Sequence, residues 1–149
     1  MDRQETNFLA GIEERFGKAD LEADQYSALA LAYIGDGVFD LIVRSIILNH
    51  GNGRVKNFHR KASSIVKAET QAKLVKSNEE ELTEKENRIF HHGRNAKSPT
   101  SAKNASIVDY RIATGFEALM GYLYLNHEMD RALELVQMGF ERTGISFEK

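Results

Sequence analysis

The 149-residue chain has no cysteine and no tryptophan, and it has a single proline. Without cysteine, a disulfide framework, a thiolate zinc site and a thiol nucleophile are all excluded. One proline and few β-branched runs favour helix over strand throughout. The sequence opens with no basic-then-apolar leader. Its most apolar stretch, 27–48, is interrupted by Asp36, Asp40 and Arg44, whereas a membrane span needs about 20 consecutive apolar residues. A cytoplasmic protein with no membrane partner is therefore expected. Nucleotide motifs are also missing. The 11–19 segment departs from a P-loop in spacing and ends in Ala19 rather than Ser or Thr, and Gly51-Asn52-Gly53-Arg54 follows a helix rather than a strand. No nucleotide cofactor is expected.

What is present suits one globular unit, with 42% hydrophobic and 28% charged residues. The net charge of -2 hides an uneven distribution. Residues 54–103 carry twelve basic and six acidic side chains, while both flanks are acidic. From Asn87 to Lys103 there is no acid at all. Such a basic middle is how a phosphate-binding protein can be acidic as a whole, although solvated helix faces give the same count.

Hydrophobic periodicity predicts a helix over 27–48, apolar nearly all round and hence internal. It predicts one further helix over 54–76. The opposite side of that helix from its core stripe carries Lys56, Arg60, Ser63, Ser64 and Lys67. Two capping-box patterns, beginning at Ser77 and Thr83, compete to start the next helix, which is expected to end near Gly93. A donor-rich loop over 93–104 and helices over 106–125 and 129–140 complete an all-α domain. Arg94, Asn95, Lys97, Ser98 and Lys103 give that loop guanidinium, amide, ammonium and hydroxyl groups suited to RNA phosphates and 2′-hydroxyls.

Two acids stand out. Asp36 lies in the middle of the most apolar helix and Glu117 in the middle of the second. A carboxylate there costs several kcal/mol of desolvation unless a cation or hydrogen bonds compensate, on the order given for buried charges. Glycines flank both, allowing a neighbouring helix or ligand to come close. If the two helices pack together, one divalent cation stabilises both acids. Mg2+ suits a site of one or two carboxylates completed by water and phosphate oxygens. Ion pairs with Arg44 or Arg111 are the structural alternative. Asp40, one turn after Asp36, is either an outer acid of the same metal site or, the favoured reading, a solvated or Arg44-paired residue.

The segment Leu31-Ala32-Tyr33-Ile34-Gly35-Asp36-Gly37-Val38-Phe39 resembles the signature helix of ribonuclease III catalytic domains, and 110–124 resembles that family's second acidic helix. His59-Arg60-Lys61-Ala62-Ser63 and the segment from Gly93 to Ser98 resemble its compact branch, Mini-ribonuclease III, which has no separate RNA-binding domain. The resemblance implies a ribonuclease III endonuclease-domain-like helical bundle over 25–140, with 1–24 as an N-terminal appendage and 141–149 as a polar tail. It implies a homodimer built around the signature helices and Mg2+-dependent cutting of double-stranded RNA, with Mn2+ able to substitute. Precursor 23S ribosomal RNA is the expected substrate, and Asp36 and Glu117 carry over as metal ligands. The rest of the family's usual acidic set is replaced by Ala32 and Thr114, which the compact branch shares. RNA affinity then has to come from the domain itself, through Lys56, Arg60, Lys67 and the 94–103 segment. A non-catalytic RNA- or ribosome-binding relative is the alternative. A helical phosphohydrolase acting on nucleotides is disfavoured, because no His-Asp pair occurs in the sequence.

Overall fold

The computed structural model describes residues 8–97 and 106–147. The described helices are α1 (Phe8–Phe16), α2 (Ala28–Asn49), α3 (Val55–Val66), α4 (Ala68–Asn78), α5 (Glu84–Asn95), α6 (Ile107–Leu125) and α7 (Met129–Thr143). Short 3-10 turns lie at Ala23–Gln25 and Glu79–Glu81. Among the described residues there is no strand, so the all-α class expected from the sequence is the one observed. None of these helices is long and apolar enough to cross a membrane.

The helix starts follow local chemistry. Ser27 and Ser106 accept from the backbone N–H groups of Ala30 and Asp109 at 3.1 and 3.0 Å, which satisfies amides that a helix start leaves unpaired. Thr83 and Glu86 complete a reciprocal capping box at the start of α5.

Helix α6 is the axle of the bundle: every residue from Ile112 to Leu123 is buried except Glu117. Helix α2 forms the most extensive contact with it, and α5, α4 and α7 pack around the rest. Phe39 meets Phe116 edge to face at 5.0 Å between α2 and α6. At this crossing the backbones touch. A Cβ on Gly35 would collide with the carbonyl of Glu117, and one on Gly121 with the carbonyl of Leu31. Gly37, two residues on, has nothing within 4 Å of where its Cβ would be. The two glycines therefore respond oppositely to alanine. Gly35→Ala is expected to destabilise the fold by about 1–3 kcal/mol or more through overpacking. Gly37→Ala, at an open helical position, should stabilise it by about 0.5–1 kcal/mol. Urea unfolding of the two variants measures both shifts.

The single helix expected over 54–76 is two. Lys67 is extended, with ψ 157°, and ends α3 before α4 begins. Side chains compensate the break: Thr70 Oγ1 donates to the Ser64 carbonyl at 2.8 Å and Gln71 Nε2 to the Val66 carbonyl at 2.6 Å. Of the two capping patterns, Thr83 starts a helix, while Ser77 lies inside α4. Gly93 does not end α5. It sits where a Cβ would press on Ala118 and Gly115 at 2.8 Å, so it serves close packing on α6, and Arg94 and Asn95 form the last helical turn instead of loop.

At the far end, α7 runs on to Thr143 and is closed by the left-handed Gly144, φ 78°. Phe147 then folds back onto Phe140 at 5.3 Å. Two buried polar anchors fix α7. Asn78 donates to the Leu135 carbonyl at 2.8 Å. Arg131 reaches both carboxylate oxygens of the buried Glu86 at 2.8 and 2.9 Å and the Glu81 carbonyl at 2.9 Å. Before α2, Leu9 of α1 and Ala23 are buried, and Asp24 pairs with Lys85 at 2.6 Å.

Candidate active site

Glu117 occupies the one opening in the buried stretch of α6, at the level where Gly35 brings α2 onto the α6 backbone. That contact places Asp36, the next residue of α2, beside it. The Glu117 carboxyl is raised from 4.5 to about 8, first because burial disfavours its charge and then because Asp36 repels it. Asp36 is also within hydrogen-bonding reach of it. The third neighbour is Gln71 from the first turns of α4, whose Nε2 lies 3.3 Å from Glu117 Oε2. Three helices thus converge: α2 with Asp36, α6 with Glu117 and α4 with Gln71.

The sequence places both acids in apolar surroundings, and this holds for Glu117 alone. Asp36 is exposed, because the core face of α2 runs through Leu31, Gly35, Val38 and Ile42 and leaves residue 36 at its edge. The structural alternative is not what forms. Arg44 pairs with Asp40 at 3.0 Å, as the i,i+4 spacing suggests, and Glu117 is bonded to a neutral amide. The donor set fits a hard divalent cation: two carboxylates crowd one another, one held partly away from water, and no ion pair among the described residues relieves them. Among those residues no group of three or more His, Asp or Glu side chains gathers. Ala32 and Thr114 are buried, with Thr114 Oγ1 donating to the Tyr110 carbonyl at 2.9 Å, so neither position adds an acid.

A family model described as the ribonuclease III domain matches residues 29–128, two-thirds of the chain and both acids. The chain belongs to the ribonuclease III domain family. Within that family it is similar to proteins named Mini-ribonuclease 3. It is 44% identical to the one from Clostridium tetani over 85% of this chain and 83% of that protein, and 42% identical to the one from Enterococcus faecalis over 84% and 96%. A crystal structure of a Fusobacterium nucleatum protein superposes with a TM-score of 0.72 at 25% identity, covering 78% of this chain and 93% of that one. The ribonuclease III-like bundle and the compact branch expected from the sequence are therefore the family and the fold observed.

The cationic residues singled out in the sequence fall in two places. Lys56, Arg60 and Lys67 are all exposed on α3 and at its end, and Lys67 makes a long ion pair with Glu69 at 3.7 Å. Because Lys67 is the hinge before α4, this ridge ends four residues from Gln71. Arg94, half exposed, and the exposed Asn95 and Lys97 lie at the end of α5, where Gly93 abuts α6 beside Thr114, Gly115 and Ala118. Ser98 and Lys103 lie outside the described residues. Sequence reasoning missed Gln71. The usable signal was Thr70-Gln71 just after Glu69, an acid placed as if to open a new helix.

Proposed function

We propose that the chain is a divalent-metal-dependent endoribonuclease that hydrolyses phosphodiester bonds of double-stranded RNA, with Asp36 and Glu117 as its metal-binding carboxylates. The observation that supports this most is the convergence of those two acids at the α2–α6 crossing of a ribonuclease III domain. Mg2+ is the cation best matched to two carboxylates, with Mn2+ as substitute. When bound, it supplies charge neutralisation at the phosphodiester and activation of water. The chain's own part is to hold the carboxylates together against their repulsion and to keep one side of the site dry with α6. Lys56, Arg60 and Lys67, together with Arg94, Asn95, Lys97, Ser98 and Lys103 of the 94–103 segment, would track the phosphates of the duplex.

The same reading includes a homodimer, which the exposed face of α2 supports. Opposite its core face, α2 presents Tyr33, 83% exposed, together with Leu41, Leu48 and the open Gly37. Apolar groups in a row along one helix mark a surface that another protein covers, and two copies would give one site for each RNA strand. Precursor 23S ribosomal RNA in the cytoplasm is the substrate this reading assigns, by way of the resemblance to the compact branch.

The test is cleavage of a duplex RNA by the purified chain. Mg2+ or Mn2+ should give discrete products, excess chelator should give none, and single-stranded RNA of the same sequence should resist. Binding without cutting under either metal would favour the non-catalytic module, the reading that the small residues at positions 32 and 114 support.

A further inference from the structure

We propose that Gln71 is a positioning residue of this site, whose buried carboxamide holds the Glu117 carboxylate in the orientation that faces Asp36. The proposal rests on the metal-site reading above.

Gln71 is 2% exposed, and its orientation is settled by its neighbours. Nε2 has two acceptors, the Val66 carbonyl at 2.6 Å and Glu117 Oε2 at 3.3 Å. Rotating the amide by half a turn would put Oε1 against two oxygens, so the NH2 end faces Glu117. Both of its hydrogens are then engaged, one on the backbone of α3 and one on the carboxylate. The side chain is a strut between a fixed carbonyl and a mobile acid.

The fold has made room for this strut. In an unbroken helix the Val66 carbonyl would accept from the backbone N–H of residue 70. The extended Lys67 removes that bond and leaves the carbonyl for Gln71. Helix α4 therefore starts at the height of Glu117, with residue 71 turned towards α6.

A purely structural role explains the arrangement poorly. Gln71 Oε1 is buried and has no hydrogen-bond partner among the described residues, an arrangement that costs stability and that native cores mostly avoid. A carbonyl cap could come from a shorter side chain without that loss, as Thr70 does for Ser64. What the longer amide adds is the bond to Glu117. Partners that orient a metal-binding carboxylate typically change metal affinity by about 10–100-fold when removed.

The experiment compares wild type, Gln71→Leu, Gln71→Asn and Glu117→Gln, with Mn2+ alone as the binding probe, read by electron paramagnetic resonance without RNA. Leu removes both bonds at similar volume, and Asn retracts the amide from the carboxylate. Either folded variant should bind Mn2+ about 10-fold or more weakly and lose kcat on duplex RNA with KM little changed. A merely structural residue would move the melting temperature and leave Mn2+ affinity and the kcat-to-KM split alone, and that result would overturn the proposal. Wild-type protein gives an answer that does not depend on the variants folding. Mg2+ titration should move the NMR signal of the Gln71 side-chain NH2, and Glu117→Gln should abolish that response; an unmoved signal would also overturn it. If Glu117→Gln itself keeps wild-type Mn2+ affinity, the carboxylate pair is not the metal site, and the failure belongs to that reading, not to Gln71.

Discussion

Asp36→Asn and Glu117→Gln should each lower duplex-RNA cleavage by roughly 10³-fold or more while leaving the fold and RNA binding nearly intact. The size follows from the several kcal/mol a bound cation supplies to charge stabilisation, at tenfold in rate per 1.36 kcal/mol. Each substitution removes half the charge of a two-carboxylate donor set, so neither remaining acid suffices. Gel-shift binding beside a cleavage time course separates loss of chemistry from loss of affinity; cleavage within tenfold of wild type would remove that acid from the site. Glu117→Gln has an opposite signature in stability. Glu117 titrates at about 8 in the folded chain against an ordinary 4.5. The stability linked to its proton is full below 4.5 and is lost as pH rises through about 8. Metal-free wild type should therefore melt at a lower temperature at pH 8.5 than at pH 6. Glu117→Gln should flatten that difference and be the more stable protein at the higher pH. Added Mg2+ should narrow the gap from the wild-type side.

Arg131→Met should destabilise the fold by about 3–5 kcal/mol, the range for breaking a buried ion pair. Glu86 is 4% exposed. Burial alone would push its carboxyl up, yet the two bonds from Arg131 and those at Thr83 hold it below its ordinary value. Without the guanidinium, a desolvated charge remains under α7, and the bond from Arg131 to the Glu81 carbonyl is lost as well. The sign of the pH effect checks the cause. With Arg131 gone, the Glu86 carboxyl loses the guanidinium that lowers it and rises, so the penalty should be greatest at neutral pH and ease on acidification. The double variant Glu86→Gln/Arg131→Met should recover part of the loss, and urea unfolding of the four proteins closes the cycle. A single-variant cost under about 1 kcal/mol would instead class the pair with surface salt bridges.

The architecture was legible because its strongest signals are local. Ser27 and Ser106 cap the helices they precede, and α2 and α6 are apolar enough to be read as internal. The two acids were legible for the same reason, as charged residues set among glycines on those helices. Three features were not. The break at Lys67 has no proline or glycine to announce it; it is stabilised by Thr70, Gln71 and contact with α6, which are tertiary facts. Gly93 reads as a stop signal, yet Gly115 and Ala118 opposite make it a packing residue. The exposure of Asp36 depends on which side of α2 turns towards α6, and an all-round apolar helix does not reveal its orientation. Gln71 combined two of these difficulties, since its role exists only once the break and the crossing are both in place.

The contact of main chain on main chain at Gly35 and Gly121 leaves no side chain to act as a spacer between the rods that bear Asp36 and Glu117. The gap between the two acids is thus set by polypeptide dimensions rather than by how the interior is filled. Substitutions elsewhere in the interior can accumulate without retuning that gap, while any side chain at either glycine would wedge it open.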